Sequence, residues 1–278
     1  MNETLSLSYQ NAHGSIDYGM TNDYMFRAVL QENKIVLKGL ICSLLHLKDD
    51  AIASVEITNP IQLGKRIDAK TFVLDIHVLL NNNRIVNLEM QMTNLQNWQE
   101  RSLSYLCRAF DQLNKGEDYS AAKPAIHIGF LNFSATENTP EFYATYKLLN
   151  IKNHELYSSK FDLRVINLTQ IELATEEDKL YQIDYWAKLF TAKTWEELKM
   201  IAKNNAVLSE ATQTLYKLNA DELLREQCRA REEYEIHEKY TQEKIAKQKI
   251  IIEEQENIIE AQEKEIEALK KRIKELEL

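Results

Sequence analysis

Two acids and an amide interrupt an apolar-rich pair of predicted strands in "LDIHVLLNNNRIVNLEMQM", residues 74–92. They are Asp75, Glu89 and Gln91. Carboxylates and amides are the side chains that hold hard divalent cations and orient water, so this stretch is where chemistry is expected. Whether the three residues act together depends on how the two strands pair.

The asparagines at 81–83 predict a three-residue loop that pairs Leu80 with Arg84, because asparagine tolerates the left-handed backbone that such loops need. Side chains alternate between the faces of a strand. The pairs on the apolar face are then Phe72 with Met92, Leu74 with Met90, Ile76 with Leu88 and Val78 with Val86. The pairs on the polar face are Asp75 with Glu89, His77 with Asn87 and Val73 with Gln91. A slip of one residue would mix the two faces, so burial selects this register.

Opposed carboxylates at Asp75 and Glu89 have Cβ atoms roughly 5 Å apart and repel each other unless a cation lies between them. Mg²⁺ often takes only one or two protein carboxylates and completes its shell with water and substrate phosphate. Such an ion lowers the pKa of a bound water and stabilises charge on a scissile phosphate. The pattern fits a hard-cation site; the alternative is a half-exposed hairpin whose outer face is wet. His77 shares this face two residues from Asp75, so it is either a neighbour of the site or, as the favoured expectation, a surface or packing histidine.

The elements around the hairpin form a mixed α/β pattern. Apolar residues recur at helical spacing over 21–47 and again over "NWQERSLSYLCRAFDQLNKG". From about residue 170 the pattern is helical to the end. The predicted strands are 53–58, 70–92, 125–133 and 161–168. The predicted organisation is an N-terminal segment (1–20), an α/β core (21–170), a helical region (171–240) and a coiled-coil tail (241–278).

The tail carries a heptad pattern that holds for about five heptads. Its a positions are Ile245, Ile252, Ile259, Ile266 and Ile273, and its d positions are Gln248, Gln255, Gln262, Leu269 and Leu276. Glu265 with Lys270 fall at g and the following e, where opposite charges attract across a parallel pair. A homo-oligomer is expected, with a dimer favoured. Three glutamines at d weaken the seam, so other stoichiometries and a long single helix remain alternatives.

Composition narrows the class of protein. The 278 residues carry a formal net charge of −9, so any contact with nucleic acid must be local. Three widely spaced cysteines, Cys42, Cys107 and Cys228, indicate neither a disulfide framework nor a zinc site. No apolar run approaches the length of a membrane span and the N-terminus lacks the pattern of a secretory leader, so a cytoplasmic protein without a membrane partner is expected.

The spacing D-x13-E-x-Q across a hairpin, preceded by "TNDYMFRAVL" and followed by "NWQERSLSYLCRAFDQLNKGEDY", resembles the PD-(D/E)xK nuclease family transposases, also called recombination-promoting nucleases. The similarity covers roughly residues 20 to 240, and "LDIHVLLNNNRIVNLEMQ" is its specific part. The resemblance implies a restriction-endonuclease-like αβββαβ core, a helical C-terminal extension and cleavage of DNA with a divalent metal.

The resemblance also implies roles for single residues. Asp75 matches the family's metal-binding aspartate, Glu89 its second acid, and Gln91 takes the place of the lysine of the wider superfamily. A neutral amide orients by hydrogen bonds but supplies no positive charge, so catalysis is weaker or depends more on the metal. Asp23, in the first turn of the first helix, matches an additional acidic ligand; the alternative is that an acid there suits the helix dipole.

Basic and aromatic residues near the hairpin are the expected DNA contacts. Arg101 and Tyr105, one turn apart on the following helix, match positions typical of this branch that face the phosphate. Alternatively, Tyr105 belongs to the core and Arg101 pairs with an acid. Lys65, Arg66 and Lys70 form a basic cluster near the hairpin entrance, which either contacts the DNA backbone or is a solvated loop.

The leading hypothesis is a Mg²⁺-dependent DNA endonuclease that acts through Asp75, Glu89 and Gln91, with recombination or mobile-element activity as its setting. The rival hypothesis is a catalytically degenerate DNA-binding or oligomeric interaction protein on the same scaffold, motivated by the missing lysine and the acidic net charge. A transposase with strand transfer is a third, weaker hypothesis, because no separate acidic triad is visible.

Overall fold

The computed structural model describes residues 8–61, 63, 75–136 and 140–276. The chain divides into two compact units, Met1–Glu232 and Glu233–Leu278. The helices are α1 (Asp23–Glu32), α2 (Lys34–Leu45), α3 (Trp98–Phe110), α4 (Glu176–Leu180), α5 (Ile183–Thr191), α6 (Trp195–Ala202), α7 (Ala206–Asn219) and α8 (Glu222–Leu276). The strands are β1 (Val55–Ile57), β2 (Ile76–Leu80), β3 (Arg84–Gln91), β4 (Ala125–Leu131), β5 (Tyr143–Lys147) and β6 (Phe161–Asn167).

The strands form one six-stranded mixed sheet in the order β1-β2-β3-β4-β6-β5. Strands β1, β2 and β3 are antiparallel neighbours, β4 runs parallel to both β3 and β6, and β5 returns antiparallel at the edge. The parallel β3 and β4 require a crossover, which α3 supplies. The element order of helices, three strands, helix and strand agrees with the expected αβββαβ core, and the mixed α/β prediction is confirmed.

The hairpin register predicted from burial is confirmed over the described part of the strands. Leu80 pairs with Arg84 and His77 pairs with Asn87. Asn81 and Asn82 have φ of 49° and 55°, the left-handed backbone that the loop requires. The Asn81 side chain also accepts hydrogen bonds from two amides just before β1, which ties the loop to the neighbouring strand. The predicted pairs that involve residues 72–74 lie outside the described residues.

The two faces of the sheet are covered by different helices. On one face an aromatic triangle joins Phe26 of α1, Phe130 of β4 and Phe190 of α5, with ring centroids 5.2 to 5.5 Å apart. This face carries the apolar set predicted for the hairpin, and it belongs to the largest core cluster. On the other face, α3 contributes Leu106 and Trp98 to two smaller clusters. The polar residues of the hairpin share this second face with α3.

One predicted helix differs in the structure. The segment 21–47 forms two helices, because Asn33 ends α1 and caps α2. Its side chain accepts hydrogen bonds from the amides of Ile35 and Val36, at 3.0 and 3.3 Å. Asparagine competes well for such amides, so it divides an otherwise continuous apolar pattern.

In the C-terminal unit, Glu233–Leu278, the described residues 233–276 form the C-terminal stretch of α8. The isoleucines predicted for the heptad seam are 39 to 56% exposed in the single chain. The coiled coil stays a prediction. Among the described residues, no helix combines the length and apolar content needed to cross a membrane.

Candidate active site

Asp75 lies directly before β2 and is 5% exposed. Its Oδ2 is 2.5 Å from Nε2 of His77, so His77 is a direct neighbour of Asp75, as one of the two expectations for this histidine has it. Its main-chain carbonyl accepts hydrogen bonds from the fully buried Arg27 of α1 and from Asn59, which hold the start of β2 in place. Burial would raise the pKa of the Asp75 carboxyl, but the hydrogen bond and charge of His77 and the charge of Arg27 bring it below its ordinary value.

Glu89 lies within β3 and is 4% exposed. Its Oε1 accepts a hydrogen bond of 2.7 Å from Nε of Arg101, and its Oε2 faces Nε2 of His127 at 3.6 Å. Burial raises the pKa of Glu89 from 4.5 to about 7; Arg101 opposes the shift, while the charges of Asp75 and Asp23 add to it. Asp75 and Asp23 therefore lie near enough for their charges to act on Glu89.

The polar face of the hairpin is not a wet surface. Asp75 and Glu89 lie two residues beyond the His77 and Asn87 pair, on the same face, and Asn87 is only 1% exposed. Helix α3 covers this part of the sheet through Trp98, whose indole lies where a Cβ on Gly129 would stand. The half-exposed hairpin is therefore the wrong interpretation of these acids.

Asp23 is the first residue of α1 and is 5% exposed. Its carboxylate accepts hydrogen bonds of 2.8 and 2.9 Å from Nε of Arg231, whose Nη2 lies 2.6 Å from Oδ2. Arg231 belongs to the first turns of α8, 208 residues along the chain. Asp23 is thus close enough to Glu89 to affect its pKa, while an arginine from the C-terminal helix holds its carboxylate.

Gln91 ends β3 and is half-buried. Its Nε2 donates a 2.8 Å hydrogen bond to the main-chain oxygen of Thr93. The amide is thereby oriented by its own chain at the carboxyl end of β3. It lies on the same face as Glu89, two residues further along the strand.

Arg101 and Tyr105 both lie on the face of α3 that meets the sheet. Arg101 pairs with Glu89, which agrees with the alternative that it is the partner of an acid. About a third of its side chain (35%) remains exposed. Its guanidinium lies 5.2 Å from the centre of the Tyr105 ring. Burial raises the pKa of the Tyr105 hydroxyl, which keeps it protonated as a hydrogen-bond donor. The basic cluster of Lys65, Arg66 and Lys70 lies outside the described residues.

The sequence did not single out His127. It lies in β4 opposite Asn87, is completely buried and stacks beside Tyr105. Burial lowers the pKa of its imidazole to about 3, so the ring is neutral at neutral pH. A lone histidine inside the apolar run "AIHIGFLNF" was the available signal, because a buried strand seldom carries a polar residue without a partner.

No group of three or more His, Cys, Asp and Glu residues forms a metal-ligating cluster within the ranges that the structure describes. The two carboxylates still suit a hard cation, because Mg²⁺ needs only one or two protein carboxylates. Oε2 of Glu89 is buried without a hydrogen-bond partner among the described residues, so this carboxylate has unused capacity to accept a hydrogen bond or a cation. Asp75 and Glu89 are therefore a chemically fitting pair of ligands.

Comparison with known proteins gives one match. The model of the family described as PD-(D/E)XK nuclease family transposase matches residues 20–245, a range that contains the whole site. No curated protein and no solved structure matches the chain.

Proposed function

The chain belongs to the PD-(D/E)XK nuclease family transposases, and from this membership we propose that it is a metal-dependent DNA endonuclease that hydrolyses phosphodiester bonds. The observation that carries the proposal is the burial of Asp75 and Glu89 on one face of the sheet, where the charge of Asp75 raises the pKa of Glu89. A recombination-promoting or mobile-element role is the setting that the family suggests.

In this proposal Asp75 and Glu89 hold the cation, with Mg²⁺ as the expected ion and Asp23 as a further candidate ligand. Asp75 is anionic at neutral pH because its pKa is low. Glu89, with a pKa of about 7, gives up its proton easily once a positive charge is near. The cation, when bound, supplies Lewis-acid stabilisation of charge on the phosphate. Gln91 orients water or a phosphate oxygen through its amide, without adding charge.

DNA is the proposed substrate, and its backbone meets the protein locally. Arg101 is the best-supported phosphate contact, since a third of its side chain is exposed beside the buried acids. Tyr105 contributes a hydroxyl near the same place. Lys65, Arg66 and Lys70 are proposed backbone contacts from their sequence position alone. A chain with net charge −9 needs such a local basic site to bind a polyanion.

The test is a plasmid nicking assay with and without Mg²⁺. Wild type is expected to convert supercoiled DNA to nicked or linear forms only with the metal, and Asp75→Ala is expected to lose at least about a hundredfold in rate, as removal of one charged group from a phosphoryl-transfer site does. Asp50→Ala removes an acid that is exposed and serves as the matched control. Equal cleavage by wild type and Asp75→Ala would refute the proposal.

A second function is favoured by one specific observation: each of the three acids already has a basic neighbour. His77 bonds to Asp75, Arg101 to Glu89 and Arg231 to Asp23. A site closed in this way suits a degenerate nuclease scaffold that binds DNA or associates with itself without turnover. That protein would shift DNA in a mobility assay, show no Mg²⁺-dependent nicking and keep its binding after Glu89→Ala.

The proposed working form is a homodimer joined through the heptad seam of residues 241–278, so that two sites meet two DNA strands. The exposed isoleucines at a support a partner of the same kind. A cytoplasmic location is part of the proposal, and the three free cysteines suit its reducing conditions.

A further inference from the structure

Three buried polar atoms lie together on β3 and β4 with no hydrogen-bond partner among the described residues. They are Oδ1 of Asn87, Oε2 of Glu89 and Nε2 of His127. Asn87 pairs with His127 across the two strands, and Glu89 pairs with Gly129, so all three side chains extend from the same face. Buried polar atoms are nearly always satisfied, so a cluster of three points to a role that the folded chain alone does not complete.

The hydrogen bond between Asn87 and His127 decides which ring nitrogen faces Glu89. Nδ2 of Asn87 donates to Nδ1 of His127 at 2.9 Å. The neutral ring therefore carries its hydrogen on Nε2, the atom that lies 3.6 Å from Oε2 of Glu89. A small movement of the carboxylate would bring the two atoms to hydrogen-bond distance.

Packing holds the imidazole in this orientation. Its ring centre lies 5.7 Å from that of Trp98 and 5.8 Å from that of Tyr105, with interplanar angles of 32° and 25°. Trp98 gains its position because residue 129 is glycine: a Cβ there would lie 2.2 Å from the indole. His127 thus belongs to the rigid sheet, whereas Arg101, the other neighbour of Glu89, is a long and partly exposed side chain.

We propose that His127 is a positioning residue for Glu89: its Nε2 hydrogen holds Oε2 and thereby fixes the carboxylate in the orientation that receives a divalent cation, with Asn87 setting the ring tautomer. The inference rests on the proposed nuclease function. With His127 in this role, the Arg101 guanidinium can turn from Glu89 to a DNA phosphate. The Glu89 carboxylate then remains held by His127 of the sheet. Neighbours of this kind orient metal ligands in many sites.

The test measures Mn²⁺ binding to the full chain by titration calorimetry, with circular dichroism as a check of folding. His127→Phe keeps a stacked ring but removes both nitrogens, and it is expected to weaken Mn²⁺ binding about tenfold or more. His127→Gln keeps an amide donor near the place of Nε2, and it is expected to restore affinity to within about threefold of wild type. The Mg²⁺ concentration for half-maximal nicking is expected to rise in the same order.

Two further variants keep the result decisive if His127→Phe does not fold. Asn87→Leu removes the donor to Nδ1 and is expected to weaken Mn²⁺ binding in the same direction. The double variant Asn87→Leu with His127→Gln is expected to lose less Mn²⁺ affinity than the sum of the two single effects, because both act through one contact. Thr212→Val is the control: it also exchanges a buried polar group for an apolar one, and its hydroxyl donates to the Leu208 carbonyl of its own helix.

The outcomes separate this inference from the proposed function. Mn²⁺ binding that is lost in Asp75→Ala but unchanged in folded His127→Phe or Asn87→Leu overturns the role of His127 and leaves the nuclease proposal standing. Equal losses in His127→Phe and His127→Gln also overturn it, because a donor at Nε2 would then not matter. If the wild-type protein binds no Mn²⁺, both the role of His127 and the metal-dependent nuclease proposal are overturned.

Discussion

At the scale of single residues, the main feature of the site is that its three carboxylates, those of Asp23, Asp75 and Glu89, are buried. Asp75 keeps its charge because His77 and Arg27 compensate for desolvation, whereas Glu89 is deprived of solvent beside two other acids and holds a proton up to about pH 7. Shifted pKa values cluster at functional sites, and here the raised pKa of Glu89 lies beside the lowered pKa of Asp75. The ionisation of Glu89 is therefore the first property to measure.

Glu89→Gln is expected to change how stability depends on pH. The folded pKa of Glu89 is about 7 and its ordinary value is 4.5. Because the folded state binds the proton more tightly, its contribution to stability is complete below about pH 4.5 and is lost as pH rises to about 7. In metal-free protein the free energy of unfolding of wild type should therefore fall by about 3 kcal/mol relative to Glu89→Gln between these values.

Thermal or urea unfolding at a series of pH values measures this difference. Asp50→Asn is the control, since it neutralises an exposed acid outside the site. Its difference from wild type should be constant between pH 5 and 8. Added Mg²⁺ should stabilise wild type more at pH 8 than at pH 5. A difference for Glu89→Gln that does not vary with pH would contradict the burial of an ionisable carboxyl there.

At the scale of elements, helix α3 positions several of the side chains that surround the acids. It brings Arg101 onto Glu89 and two aromatic rings onto His127, and its approach to β4 depends on Gly129. Gly129→Ala would place a Cβ 2.2 Å from the Trp98 indole. We expect a loss of about 1 to 3 kcal/mol in the free energy of unfolding, as overpacking of a closed core produces, together with weaker nicking because α3 is displaced.

Urea unfolding of the full chain checks this prediction. Gly19→Ala is the matched control, because its added Cβ would meet only the Ala192 carbonyl oxygen at 3.5 Å, an ordinary contact. The control should change stability by less than about 0.5 kcal/mol. If Gly129→Ala has the same free energy of unfolding as wild type, α3 can move away from β4 without destabilising the fold, and the prediction is wrong.

At the scale of the whole molecule, the unit Glu233–Leu278 carries a predicted heptad seam whose isoleucines are exposed in the single chain. The double variant Ile259→Asn with Ile266→Asn replaces two a residues, which are 54% and 49% exposed. We expect light scattering to fall from twice the chain mass to the mass of one chain, since polar residues at two a positions remove most of the buried apolar area of a short coiled coil.

Lys264→Asn with Lys271→Asn places the same residue at two f positions, outside the seam, and should leave the mass at that of the dimer. If the variant at a has the same mass as wild type, the heptad seam is not the interface. If wild type itself has the mass of one chain, the tail is a solvated single helix and the two-site arrangement of the proposal is lost.

The sequence by itself determined the local features of this protein. Strand alternation and the three asparagines were enough for the hairpin register, and the helical pattern of the C-terminal part agrees with α8. The family was expected from the resemblance of the segment that carries Asp75, Glu89 and Gln91, and the family match confirms it. These features depend on residues near each other in the chain, where backbone geometry leaves few choices. The division of the first helix at Asn33 was missed, because apolar periodicity continues across it.

Only the tertiary structure decided what surrounds the acids. It joined Asp23 to Arg231, residues 208 positions apart, and brought His127 of β4 to Glu89 of β3. It also covered the polar face of the hairpin with α3, which turned apparently wet acids into buried ones with shifted pKa values. The physical reason is that burial and charge pairing depend on which elements pack together. Spacing along the chain carries no information about that packing.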